Sequence, residues 1–160
     1  MSKGGVVVPP KMAVTVVAAR GLLVADRFSR SSDPYVMLFN RRKGTLKNTS
    51  VKPKTLCPVW NETFEFPIVD PLNDMLELTV FDHDTGSSSD VLGKLTLPVA
   101  AVTNSPGPLD AWFPLLDKKA ATVDRSDKAR GELHLRVVYT DADGVCHDGG
   151  GGGGGGGGGE

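Results

Sequence analysis

The feature that most constrains this chain is a two-residue rhythm of apolar side chains. Trp60, Phe64 and Phe66 alternate with Asn61, Thr63 and Glu65. Leu76, Leu78 and Val80 alternate with Glu77, Thr79 and Phe81, and Leu133, Leu135, Val137 and Tyr139 with Glu132, His134, Arg136 and Val138. Successive side chains of a β-strand point to opposite faces, so this rhythm marks strands with one buried face. Further runs fit the same class. Lys11 to Ala19 is rich in valine, and Tyr35 to Phe39 sits between Pro34 and Asn40. Val91 to Leu97 is closed by Pro98, and Ala111 to Phe113 is stopped by Pro114. With a polar strand from Leu46 to Lys52, the count is about eight. No segment sustains a helical stripe, although Val99 to Asn104 has room for one helical turn. Many short strands punctuated by Pro and Gly predict an all-β, eight-stranded antiparallel sandwich with Greek-key connections.

Residues 11–140 are expected to form this domain. Residues 1–10, ending in Pro9 and Pro10, read as a flexible segment. Residues 141–160, with unbroken glycine from Gly149 to Gly159, read as a disordered tail with nothing to bury and much entropy to lose. Asp117 to Arg130 is long and charged and reads as a solvated loop. Eighteen basic and 19 acidic residues give a net charge of −1, which argues against nucleic acid as a partner. Two cysteines make no disulfide framework, so a reducing compartment is expected. No run approaches the roughly 20 apolar residues of a membrane-spanning helix. The expected location is cytoplasmic, and the expected state a monomer.

The aspartates carry the chemistry. Asp82 and Asp84 follow the Leu76–Phe81 strand and share the parity of Leu76, Leu78 and Val80, so they project to the core side but beyond the end of the core. Asp90 returns just before the next strand, across the small loop Thr85 to Ser89. Asp26 and Asp33 bracket another loop, between the first strand and Tyr35. Any one of these five, taken alone, reads more readily as a turn or cap residue. Gathered at one end of a sandwich, the five would repel one another. A hard cation removes that conflict. Calcium accepts six to eight oxygens in flexible geometry, whereas magnesium demands a tighter octahedron. Zinc is disfavoured, because no His or Cys joins the cluster at ligand spacing and His83 faces away from Asp82 and Asp84.

Three ordered motifs then carry a resemblance. Ser32-Asp33-Pro34-Tyr35-Val36, Thr55-Leu56-Cys57-Pro58-Val59-Trp60-Asn61-Glu62-Thr63-Phe64, and Phe81-Asp82-His83-Asp84 with Asp90-Val91-Leu92-Gly93 resemble the signatures of C2 domains. Cys57 stands where that family usually has asparagine. The resemblance covers about Met12 to Tyr139 and implies an eight-stranded sandwich whose calcium-binding members dock on phospholipid membranes. It places Asp26 and Asp33 as the first-loop pair and Asp82, Asp84 and Asp90 as the third-loop trio. Ser87 matches a position that sometimes adds an oxygen, and the carbonyls of Ala25 and His83 match ligand positions. The C-terminal Glu132 to Tyr139 strand resembles the one that leads the synaptotagmin-type domain, which implies the permuted, phospholipase-like (type II) topology.

The resemblance implies a calcium-dependent membrane-targeting and signalling module. Setting the five aspartates aside from the 19 acidic residues leaves 14 against 18 basic, a balance of +4. Two calcium ions would take the cluster from −5 to −1 and let an anionic phospholipid surface approach. Arg27, Phe28 and Arg30, beside the first loop, are the expected membrane contacts. Arg41, Arg42, Lys43, Lys47, Lys52 and Lys54 are candidates for further headgroup contact. A calcium-independent protein-interaction module is the alternative. No enzymatic activity is expected. Asp84-Thr85-Gly86-Ser87 occurs once, whereas an aspartic protease site needs two aspartates sharing a proton. No His has a placed Ser or Cys partner, and an EF-hand lacks its Glu at position twelve.

Overall fold

The computed structural model describes residues 9–23, 31–84, 89–116, 131–144 and 146–147. They form two antiparallel sheets. The strands are β1 (Lys11–Arg20), β2 (Pro34–Asn40), β3 (Thr45–Asn48), β4 (Val59–Pro67), β5 (Met75–Asp82), β6 (Asp90–Pro98), β7 (Leu109–Pro114), β8 (Glu132–Thr140) and the two-residue β9 (Cys146–His147). One sheet has the order β4-β1-β8-β7, with β9 also on β8; the other has β3-β2-β5-β6. The C-terminal β8 lies beside the first strand, as the permuted topology requires. The helix α1 (Val99–Thr103) is the helical turn expected there. The strand expected over Leu46–Lys52 is shorter and ends at Asn48. Thr49 turns inward instead, where its hydroxyl accepts the Val36 N–H at 2.8 Å.

The inner faces meet in one core that includes Met12, Val14 and Val16 of β1, Val36 and Leu38 of β2, Phe66 of β4, Leu76, Leu78 and Val80 of β5, and Leu133, Leu135 and Val137 of β8. These are the residues of the two-residue rhythm, so local polarity and burial agree. Two glycines let the layers close. A Cβ on Gly93 would sit 2.8 Å from Leu115 Cβ, the residue that packs over β6 after β7. Gly131 has φ +91°, and its Cβ would meet the Arg20 carbonyl oxygen at 2.6 Å.

The two outer faces differ. The β1–β4–β8 face is polar and laced, by Lys11 to Glu65 at 3.0 Å, the Thr15 and Thr63 hydroxyls at 2.7 Å, and Arg20 to Glu132 at 3.2 Å. The outer face of β2 carries Tyr35, Met37 and Phe39, all half-buried. Tyr35 stacks on Phe81 of β5 with ring centroids 5.5 Å apart. Leu46 and Met75 are each 51% exposed on the neighbouring strands.

Candidate metal centre

Strand direction brings three segments to one end of the sandwich. β2 begins there at Pro34, β5 ends there at Asp82, and β6 begins there at Asp90. Pro34 pairs with Asp82, and Asp82 pairs directly with Asp90. Directly opposed residues of an antiparallel pair share a face. Asp82 keeps the parity of Val80, so both carboxylates stand on the inner side, past the last core residues.

Asp90 reaches that side only through a bulge. Val80 pairs with Gly93 but Phe81 with Val91, so Leu92 is an extra residue in β6. Leu92 and Gly93 are therefore both buried. Without the bulge, Asp90 would take the parity of Lys94 and Thr96 and face outward. One inserted residue moves everything beyond it to the other face.

Backbone groups tie the carboxylates together. The Asp33 N–H donates to Asp82 Oδ1 at 2.6 Å, and the His83 N–H donates to the Asp33 carbonyl at 2.9 Å. The Lys54 N–H donates to Asp33 Oδ1 at 2.6 Å. Trp60 and Glu62 of the second motif serve the same end. Trp60 Nε1–H donates to the Ser50 carbonyl at 2.8 Å, and the Glu62 carboxylate accepts the Ser50 N–H and hydroxyl. The start of loop 49–58 is thus pinned to β4. His83 turns its ring outward, edge-on to Tyr35 with centroids 6.1 Å apart.

The electrostatics reflect the crowding. Burial pushes the Asp82 carboxyl above the ordinary aspartate range. The Asp33 N–H opposes that rise, while the negative charges of Asp33, Asp90 and Asp84 add to it. Three of the other predicted aspartates are thus within electrostatic reach of Asp82.

Asp26, Ala25, Ser87, Arg27, Phe28 and Arg30 lie outside the described residues. Among the described residues, no three His, Cys, Asp or Glu side chains are disposed to hold a metal ion. The donor chemistry still fits a hard cation. It is all oxygen, it is anionic, and its like charges already raise one carboxyl, a conflict that a cation relieves.

The basic residues offered for headgroup contact separate. The Lys47 ammonium sits 5.7 Å from the Phe66 ring centroid, under the sheet rather than on its outer face. Arg41 pairs with Glu77, and Arg42 with Asp74 and Asp70, at the opposite end of the sandwich. Lys52 and Lys54 remain at the aspartate end. Asp74, absent from the sequence-based candidates, is buried and saturated with donors. A lone aspartate in a turn-rich stretch carries no signal of burial.

Comparison with known proteins identifies the class. The family model of the C2 domain matches residues 10–115. Synaptotagmin-5 of Arabidopsis thaliana is 36% identical over 131 residues, covering 82% of this chain and 21% of the relative. The Multiple C2 and transmembrane domain-containing protein of Drosophila melanogaster is 32% identical over 136 residues, 84% of this chain and 14% of the relative. The first C2 domain of plant Extended Synaptotagmin 1 superposes with a TM-score of 0.71 at 29% identity, covering 82% of this chain and 95% of that one. The calcium-bound pair of C2 domains from Extended-Synaptotagmin 2 superposes with a TM-score of 0.67 at 26% identity, over 84% of this chain and 47% of that one. The chain belongs to the C2 domain family, and it spans about a fifth or less of the length of these curated relatives.

Proposed function

We propose that this C2 domain binds calcium and, once loaded, docks on anionic phospholipid membranes as a targeting module. The observation that carries the proposal is the convergence of Asp33, Asp84 and Asp90 on Asp82, whose carboxyl is raised by burial and by these neighbours. Family membership supports a lipid- or membrane-binding role, and a calcium-bound structural neighbour supports the choice of cation. Asp26 completes the set of five, with the Ala25 and His83 carbonyls and the Ser87 hydroxyl as further oxygens. Bound calcium supplies positive charge and coordination positions for phosphate oxygens.

The chain's own residues do the rest. The Lys54 and Asp33 N–H groups orient the carboxylates before any ion arrives. Until then the negative charge of the aspartates holds an anionic surface off. Arg27 and Arg30, with Lys52 and Lys54, then meet the lipid headgroups, each basic residue near the surface contributing about 1 kcal/mol. Phe28 is the apolar contact at the loop tip. The location that follows is cytoplasmic, with peripheral membrane association.

Liposome co-sedimentation tests the reading. Vesicles with phosphatidylserine should pull the chain down in calcium and release it in chelator, and Asp82→Asn with Asp84→Asn should abolish the difference. Binding that ignores calcium would overturn it. One observation favours a protein-interaction module instead: the apolar outer face of β2, with Tyr35, Met37 and Phe39 beside Leu46. A protein partner that still binds the double variant would support that second reading.

A further inference from the structure

Loop 49–58 contains no acidic residue, yet it reaches into the aspartate cluster. The Lys52 N–H donates to the Pro34 carbonyl at 3.0 Å, and the Thr55 N–H to the Ser32 carbonyl at 2.8 Å. Between these two anchors the Lys54 N–H donates to Asp33 Oδ1 at 2.6 Å. Asp33 then donates its own N–H to Asp82 Oδ1, also at 2.6 Å. A relay of charge-assisted hydrogen bonds runs from the loop through one carboxylate to the next.

The backbone at Lys54 is unusual. Its φ is +52°, directly after Pro53. Proline followed by a positive φ is the pattern of a type II turn, where glycine or asparagine normally takes the second central position. A lysine there is uncommon, and such a conformation persists only where the surroundings impose it. The positive φ goes with a flipped peptide plane between Pro53 and Lys54. That flip aims the Lys54 N–H at Asp33. The neighbouring hydrogen bonds of Lys52 and Thr55 hold it.

We propose that Lys54 is a positioning residue for cation binding, acting through its backbone N–H and left-handed conformation rather than through its ammonium. The proposal rests on the calcium reading given above. By engaging Oδ1 of Asp33, the Lys54 amide orients that carboxylate and leaves Oδ2 to be presented to the ion. A loop with no carboxylate of its own thereby sets the affinity of the site.

Calcium calorimetry on the full chain tests this with a substitution series. Lys54→Gly and Lys54→Asn accept the positive φ and keep the N–H, so they should bind calcium within about twofold of wild type. Lys54→Val, β-branched and strained at positive φ, should bind about tenfold more weakly, with Lys54→Ala between. Wild-type affinity in Lys54→Val would overturn the proposal. So would lost affinity in Lys54→Gly, which would assign the effect to the ammonium. If Lys54→Val does not fold in chelator, Lys54→Ala against Lys54→Gly carries the comparison. A wild-type chain that takes no calcium sinks the calcium reading itself. Amide hydrogen exchange in chelator then decides the coupling: the Lys54 amide should exchange about tenfold more slowly in wild type than in Asp33→Ala, and equal rates would overturn the link.

Discussion

The two ends of strand β5 hold an aspartate each, and the protein treats them in opposite ways. Asp74 stands just before the strand, with its side chain only 1% exposed. Burial there favours the neutral acid, yet the backbone donors and Arg42 outweigh it and hold the carboxyl below the ordinary range. Its Oδ2 accepts the Val69 and Asp70 N–H groups, each at 3.0 Å, and its Oδ1 accepts Arg42 Nε–H. Asp82, at the far end, is also partly buried, but it meets one backbone donor, from Asp33, and three carboxylate neighbours. Its carboxyl rises. The residue type is the same and the strand is the same. What differs is whether the surroundings supply donors or further negative charge. The Asp74 end is complete as it stands, whereas the Asp82 end carries a charge conflict that a ligand can relieve.

The largest expected effect is on the complete end. Asp74→Ala removes an ion-pair partner and leaves two N–H groups without their acceptor, so it should cost about 3 kcal/mol. Thermal unfolding should fall by roughly 10 °C. Melting close to that of wild type would break the comparison on that side, since it would make Asp74 an ordinary turn residue.

Next is the ligand effect on the other end. Free calcium at about 100 times its dissociation constant should stabilise the folded chain by about 2.7 kcal/mol, or roughly 8 °C. Asp82→Asn with Asp84→Asn should lose most of that gain, while Asp74→Ala should keep it. Scanning calorimetry in calcium and in chelator reads both.

A smaller effect separates the ends by sign. In chelator, Asp82→Asn removes repulsion while keeping an oxygen for the Asp33 N–H, and should stabilise by about 0.5 kcal/mol. Asp74→Asn should destabilise. Urea titrations of the two variants sharpen the contrast, and a loss of stability in Asp82→Asn would dissolve it.

The pH dependence gives the subtlest test. The Asp74 carboxyl is depressed in the folded chain, so its stabilisation is present above the ordinary aspartate value and is lost as pH falls through the lower folded value. The Asp82 carboxyl is raised, so calcium-free protein loses stability as pH climbs from the ordinary value through the higher folded one. Asp74→Asn should flatten the acid side of a stability profile, and Asp82→Asn should remove the decline above it.

Most of the fold was legible in the residues. Alternation placed Leu76, Leu78 and Val80 in the core, and Leu133, Leu135 and Val137 with them. Proline and glycine punctuation placed nearly every strand, and three motifs identified the family. The polar strand after Leu46 was read too long, because alternation cannot reveal that Thr49 turns inward to cap Val36. The basic face was misread for a related reason. Lysine and arginine carry no parity signal of their own, so Lys47 beneath Phe66 and Arg42 on Asp74 emerge only from packing.

The aspartate end shows where the division lies. That Asp82 shares a face with Val80 follows from the residues alone, because side-chain alternation is a local property of the extended backbone. The motifs around Asp33, Asp84 and Asp90 likewise brought those residues forward. That Asp90 joins the same face follows only from the assembled sandwich, because the bulge at Leu92 is a matter of register between two strands. So it is with the bond from Asp33 to Asp82 across 49 positions of chain, and with the left-handed backbone by which Lys54 reaches Asp33. Those contacts depend on which loops meet at one end of the sandwich, and no window of sequence contains both partners.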